Sequence, residues 1–373
     1  MIIYVSHSVL NLKLEVNKLK KFKTLGALAL SSLLTLSLFS GCGKSETSTS
    51  DDVVYFYNCG DYIDEDLLTK FTEETGIKVD YSTYDTNEIM YQKVKSTPGT
   101  YDLVVPSDYM IQKMIKEDML EKLDFNNIPN YKYISEEFKN LAYDPDNEYS
   151  VPYMWGTIGI IYNPDIVTDP VDSWDILWNT NYANKQVIMF DSMRDSLGIA
   201  LKKLGYSMNS TDPNEIEAAT QALIEQKRTM DPLYYVDEVK DKMITEEAAI
   251  APVWSGDAAY IMSENPKLKF VLPKEGTNKW FDAMAIPKGA KHKENAEKLI
   301  NFLCDPENAL QNVEYIEYST PNEAAYEMLD DEVKNDESFY PPQSILDKCE
   351  VFVDLNKDLR LYDDAWMKVK TSR

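Results

Sequence analysis

From Val53 onward the chain alternates β-branched and aromatic runs with amphipathic stretches, and few folds accept that alternation at this spacing. Residues 53–57 read as a buried strand, broken by the turn chemistry of Asn58, Cys59 and Gly60. Asp61 and Asp64 are candidate caps for a helix that carries Leu67, Leu68 and Phe71 on one face and stops at Gly76. A second strand over 77–82, a helix over 88–95 and a third strand over 101–105 follow, the last running into Pro106-Ser107-Asp108-Tyr109 and a further helix. Such repetition implies crossover connections and a parallel sheet. Ligands of these sheets bind beyond the carboxyl ends of the strands, so the turns are where function is sought.

With 373 residues the chain is long enough for two domains. An extended segment over 151–162, holding Gly156 and Gly159, predicts a crossover between them, and residues 280–287 predict a return. The expected division is 53–157 for the first part of one lobe and 158–278 for the first part of the other. Residues 279–327 then return to the first lobe, and 328–373 close the second with helices. Strands are expected over 186–190, 248–254 and 268–272, with helices after 190, over 215–226, after Ser255, and over 294–304 and 307–315.

Ahead of this body, Lys18, Lys20, Lys21 and Lys23 precede an apolar run over 25–39 and then Ser40-Gly41-Cys42. A positive region, a short apolar run and small residues before a cut describe a secretory signal rather than a spanning helix. The segment resembles a bacterial lipoprotein signal, with Phe39 where such signals usually carry Leu. The resemblance implies removal of 1–41, lipidation of Cys42, and an extracytoplasmic, lipid-anchored location. The Ser/Thr-rich stretch over 42–52 predicts a flexible tether. The anchor is then the chain's contact with the membrane.

The formal charge of −25, from 63 acidic and 38 basic residues, argues against nucleic acid or anionic lipid as a partner, because phosphates would be repelled. Only two histidines occur, His7 and His292, and the four cysteines show no Cys-x-x-Cys spacing. That inventory argues against a histidine-rich metal site or a Ser-His-Asp triad. No dinucleotide fingerprint, phosphate-binding loop or metalloprotease motif is present, so no cofactor or metal is expected. Asp191, Asp195 and Asp282 could in principle pair as acid and base, and Cys59 could act as a nucleophile. With Asp61 and Asp64 nearby and no histidine to activate it, Cys59 is expected to be unreactive, and no enzyme is predicted.

The turns and crossings collect Tyr62, Ser107, Tyr109, Asp191, Asp195, Trp254, Trp280, Asp282 and Tyr318, with no lysine among them and Arg194 the one basic candidate. Aromatic faces attract ammonium groups at about 0.5–2 kcal/mol each. Carboxylates accept charge-assisted hydrogen bonds from the same groups. Rings between carboxylates would cover a methylene stem at about 0.8 kcal/mol per buried CH₂. This chemistry suits a linear polyamine, whereas each residue taken singly serves equally well as packing or as a helix cap.

Over its whole length beyond Val53 the chain resembles the bacterial spermidine/putrescine-binding proteins of ABC uptake systems. The resemblance lies in Tyr55-Phe-Tyr-Asn, Glu74-Thr-Gly-Ile-Lys-Val, Tyr101-Asp-Leu-Val-Val-Pro-Ser, Val151-Pro-Tyr-Met-Trp-Gly, Trp280-Phe-Asp and Tyr318-Ser-Thr-Pro-Asn. It implies an α/β, two-lobed type II periplasmic-binding-protein fold, each lobe a mostly parallel sheet flanked by helices, joined by crossover strands. It also implies a monomer that closes on a polyamine and docks on a permease driven by an ATPase. By position, Tyr62, Ser107, Tyr109, Trp254, Trp280, Asp282 and Tyr318 match ligand contacts of the family. Asp195 stands where the family has glutamate, and Asp191 lies one turn before it. Three departures bear on specificity: Cys59 replaces the usual Trp, Gly60 stands where some members have Thr, and Phe352 where some have Gln. The same fold also serves other cargo, including thiamine-like cations, and an enlarged pocket at Cys59 keeps that alternative open.

Overall fold

The computed structural model describes residues 52–184 and 186–372. The signal over 1–41, Cys42 and the tether up to residue 51 lie outside the described residues. The first strand, β1 (Val53–Cys59), pairs in parallel with β2 (Lys78–Tyr84) and with β3 (Leu103–Val104). Between them run helices Glu65–Thr75 and Asn87–Ser96, the first capped by Asp64 and closed by Gly76 at φ 77°. Asp61 is not a cap; it turns the chain at φ 48°.

The centre of the sheet is β4 (Ser150–Tyr162), buried along twelve of its thirteen residues. Its first half pairs antiparallel with β9 (Lys279–Ala285), which reaches β3 through Val104 and Ala285. Its second half pairs antiparallel with β7 (Ile250–Trp254) and β8 (Lys269–Val271). A parallel pair, β5 (Ile188–Phe190) and β6 (Leu233–Tyr235), meets β7 through a bridge between Val187 and Ile250. The glycines of β4 have a packing reason. A Cβ on Gly156 would lie 2.6 Å from the Trp280 ring, and one on Gly159 would lie 2.3 Å from the Phe270 ring.

A large core joins Phe56, Leu67, Phe71, Leu103 and Met114 to residues far along the chain, such as Leu299 and Tyr362. A smaller cluster of Ile161, Ile188, Val253 and Ile261 packs about β7. Burying such side chains contributes about 1.5–3 kcal/mol each.

Two further features depart from the sequence expectation. Asn58 and Cys59 do not break β1 off; they are its last two residues and pair with Thr83 and Tyr84. Asn58 is wholly buried and donates to the Tyr62 carbonyl, so a turn-forming residue is accommodated inside a strand. The segment after Gln226, given no elements from sequence, holds β6 and the short helix Val239–Ile244.

Candidate functional site

Every strand end expected to face the ligand opens on one cavity of about 960 Å³, counting open solvent at its mouth. Cys59 to Tyr62 follow β1, Tyr84 to Glu88 end β2, and Ser107 to Tyr109 follow β3. Ser192, Arg194 and Asp195, then Asp237 and Lys240, and then Trp254 and Asp257 come from the ends of β5, β6 and β7, while Trp280 and Asp282 lie within β9. Eight carboxyl groups line the cavity against two cationic side chains, Arg194 and Lys240. It is therefore an acidic cleft with aromatic walls.

Asp282 sits at its centre. The Tyr62 hydroxyl donates to Asp282 Oδ2 at 2.7 Å, and Ser107 forms an isolated β-bridge with the same residue. The other oxygen, Oδ1, is buried with no hydrogen-bond partner. Burial pushes the Asp282 carboxyl up to about 6, against the favourable pull of the nearby Ser107 hydroxyl and the hydrogen bond from Tyr62, with Asp195 adding repulsion. Behind it, Asp108 accepts from the backbone N–H groups of Phe281 and Tyr109 at 3.0 and 2.6 Å, and burial pushes it up to about 8. Asp108 thus ties the start of helix Asp108–Lys116 to β9 and fixes Asp282 beside Ser107.

On one side of Asp282, the Ser192 hydroxyl donates to Asp195, whose carboxyl burial pushes up to about 6. Tyr109 donates to Glu88 at 3.0 Å. Arg194 lies here but turns away, donating to the Val353 carbonyl and Asn209 Oδ1 while its guanidinium stacks 4.3 Å from the Phe352 ring centre. On the other side Tyr318 donates to Asp257 Oδ1 at 3.0 Å. Lys240 pairs with Asp61 at 2.9 Å and approaches Asp257 at 4.0 Å. Burial raises Asp257, which Lys240 opposes, and pushes Asp237 up to about 6.

The rings form two groups. Tyr62 and Tyr318 meet edge to face at 5.4 Å, as do Tyr318 and Trp280, and Trp254 leans on Phe190 at 4.6 Å. A Cβ on Gly256 would fall 2.5 Å from the Tyr318 ring, so glycine there is what lets that ring approach helix Ser255–Glu264.

Of the residues singled out from sequence, Cys59, Gly60, Tyr62, Ser107, Tyr109, Asp195, Trp254, Trp280, Asp282, Tyr318 and Phe352 line this cavity. Asp191 does not. It lies ahead of the helix Met193–Lys203 that carries Asp195, and the C-terminal helix Leu359–Thr371 docks beside it, where Lys370 binds it at 2.7 Å. The expectation of turns free of lysine also fails at Lys240, which rides on the unrecognised helix Val239–Ile244. Asp85, Glu88, Asp237 and Asp257 are further lining acids that were not foreseen. Glu88 and Asp257 lie at helix starts, where an acid reads as a favourable dipole contact rather than as a cavity residue. Cys59 faces Asp237, Asp282 and Asp257, and burial first, then their charges, push its thiol up, away from nucleophile chemistry.

A family model described as bacterial extracellular solute-binding protein matches residues 66–341. The spermidine/putrescine-binding periplasmic protein of Salmonella typhimurium is 43% identical over 337 residues, covering 89% of this chain and 95% of that protein. A solved chain from Listeria monocytogenes superposes with a TM-score of 0.83 at 43% identity, over 86% of this chain and all of the other. The spermidine/putrescine ABC transporter substrate-binding protein PotD of Streptococcus pneumoniae, solved with calcium and HEPES, gives 0.73 at 44% identity over 86% of this chain and 99% of that one. The fold is the two-lobed α/β arrangement of type II periplasmic binding proteins. The chain belongs to the bacterial extracellular solute-binding protein family.

Proposed function

We propose that this solute-binding protein captures a polyamine, spermidine and/or putrescine, in its acidic cleft outside the cytoplasm and delivers it to an ABC import permease. The observation that carries this reading is Asp282, a half-buried carboxylate lining the cleft, with one oxygen satisfied by Tyr62 and the other shielded from solvent without a partner. An ammonium group is the natural occupant of that position, because a buried anion gains most from a cation that also donates hydrogen bonds. Tyr62, Ser107, Tyr109, Asp195, Trp254, Trp280 and Tyr318 are assigned here as the other ligand contacts. Cys59, Gly60 and Phe352 tune the walls. A Cβ on Gly60 would lie 3.1 Å from Asp237 Oδ2, which explains why the chain keeps glycine where a threonine would crowd that carboxylate.

The lobe boundaries expected from sequence are part of the proposal. They are supported by the change of partner along β4 from β9 to β7 and β8 between Thr157 and Ile158. Closure follows from contacts shared across the cleft, since only differential affinity for the closed state can drive a hinge. Lipidation at Cys42, anchoring to the cell membrane and a monomeric state complete the reading. The relatives are binding proteins rather than enzymes, and the cleft is read here as doing no chemistry.

The test is a thermal-shift and calorimetric panel of putrescine, cadaverine, spermidine and spermine. A ligand at a hundredfold its dissociation constant stabilises the folded state by about 2.7 kcal/mol. Absence of both heat and stabilisation with every amine would refute the assignment. Production of the full chain with a radiolabelled lipid precursor, and of Cys42→Ser beside it, tests the anchor.

A further inference from the structure

Six of the eight acids of the cleft fall into three groups, and these differ in whether a lysine or arginine of the chain pairs with them. In the first, Asp195 and Glu88 receive hydrogen bonds from the neutral hydroxyls of Ser192 and Tyr109. In the second, Asp282 receives one from Tyr62. Among the described residues no lysine or arginine nitrogen forms an ion pair with any of these three carboxylates. The guanidinium of Arg194 is held by Val353 and Asn209 instead.

The third group, Asp61, Asp237 and Asp257, differs. Lys240 Nζ lies 2.9 Å from Asp61 and 4.0 Å from Asp257, with its side chain 15% exposed. The Lys240 backbone N–H bonds the Asp237 carbonyl at 3.2 Å, which fixes the root of the side chain at the edge of the cavity. This group continues directly from the second: Tyr62 on Asp282 packs against Tyr318, and Tyr318 donates to Asp257.

We propose that Lys240 is a built-in ammonium that occupies the third acidic position, so that the cleft takes a ligand with two ammonium groups in preference to one with three. This rests on the polyamine reading of the cleft. A diamine places its two charges at Asp195 and Asp282, with neither of which a lysine or arginine forms an ion pair among the described residues. A triamine laid along the same line brings its third ammonium against Lys240, and must either stop short or push the lysine out of its contacts with Asp61 and Asp257. A lysine charge is compact and strongly hydrated, and the mouth of the cavity leaves Asp61 mostly in water, so the lysine can be displaced at a cost rather than being locked in place. Lys240 therefore sets the rank order of ligands without being required for capture.

The experiment is calorimetry with putrescine, cadaverine and spermidine on the whole mature protein and on Lys240→Ala, Lys240→Met and Lys240→Arg, each checked by thermal melting. The wild type is expected to bind putrescine at least tenfold more tightly than spermidine. Lys240→Ala is expected to shift that ratio at least tenfold toward spermidine, Lys240→Met to do the same with the apolar stem retained, and Lys240→Arg to keep the original order. A ratio that moves less than twofold in both Ala and Met variants, or a wild type that prefers spermidine, overturns the inference while leaving the polyamine assignment standing. Failure of all three amines to bind every protein is a different result, and it removes the assignment and the inference together.

Discussion

Asp282 and Asp257 share a first contact: each accepts a tyrosine hydroxyl, from Tyr62 at 2.7 Å and from Tyr318 at 3.0 Å, Asp257 being buried and Asp282 half-buried with its Oδ1 shielded from solvent. Their surroundings part at the next contact. Asp257 has Lys240 at 4.0 Å, whereas Asp282 keeps an oxygen with no partner. Two carboxylates with the same first neighbour thus have opposite needs, one already compensated by the chain and one left to be compensated by something that enters. Desolvating an ion costs several kcal/mol unless it is paired. An empty Asp282 is therefore a standing expense to the fold, justified by what it binds.

The largest effect expected from this contrast is in Asp282→Asn. The amide keeps an acceptor for Tyr62 but removes the charge, and loss of one partner from a buried charged pair costs about 2–5 kcal/mol of binding. Affinity for putrescine should fall at least thirtyfold by calorimetry, about 2 kcal/mol. The ligand-free variant should melt no lower than the wild type at neutral pH. Asp257→Asn should cost less affinity, since it weakens only the Lys240 side; equal losses at both positions would break the comparison.

Acid should act on the same contrast. Burial holds Asp282 and Asp195 up to about 6, from an ordinary 3.8. Because the folded pKa is the higher one, each contributes stability that is complete below the unfolded value and is lost as pH rises through about 6. The empty wild type should therefore gain on Asp282→Asn in melting temperature between pH 7 and pH 5. Ligand binding, which needs the ionised form, should change in the other direction. One unit below its pKa a carboxyl is roughly one-tenth ionised, so putrescine affinity should drop about tenfold for each of the two carboxylates, on the order of a hundredfold together, over the same interval. Calorimetry at both values, with proton release followed in two buffers, checks the sign.

Much of this arrangement can be read before any coordinates are drawn. The alternation from Val53 marks the strands, and the rule that ligands gather at carboxyl strand ends selects Tyr62, Ser107, Tyr109, Asp195 and Trp254. What escapes has identifiable causes. Asn58 and Cys59 look like a turn because nothing local reveals that Asn58 bonds the Tyr62 carbonyl from inside a strand. Lys240 sits on a helix of six residues, too short for periodicity to register. Asp191 and Asp195 are alike in type and spacing, and only the docking of a helix from the far end of the chain separates them. Local chemistry shows in sequence; charge partners supplied from a distance do not.

A smaller effect is expected at the walls. Trp254 is half-buried and leans on Phe190, so Trp254→Leu should fold normally. It should weaken amine binding by about 0.5–2 kcal/mol, the contribution of one cation–π contact, which is roughly twofold to thirtyfold. A loss confined to spermidine would place this ring along the part of the cleft that only a longer ligand reaches, and would tie it to the Lys240 side rather than to Asp282.

The smallest effect belongs to Asp191, and it tests how sharply the cleft is bounded. Its carboxylate faces Lys370 with both side chains well exposed, at 40% and 38%. Pairs of this kind are worth about 0–1 kcal/mol. Asp191→Ala should therefore cost at most that much stability in urea unfolding, and should leave putrescine affinity unchanged within twofold. Four residues along the same segment, Asp195→Ala should weaken binding by far more, because Asp195 forms no ion pair among the described residues and lines the cavity with Ser192 bonded to it. If both variants lost affinity equally, long-range charge would be governing capture, and pairing at defined positions would not. The salt dependence separates the two cases: a general field fades as ionic strength rises, while a desolvated contact at Asp195 persists.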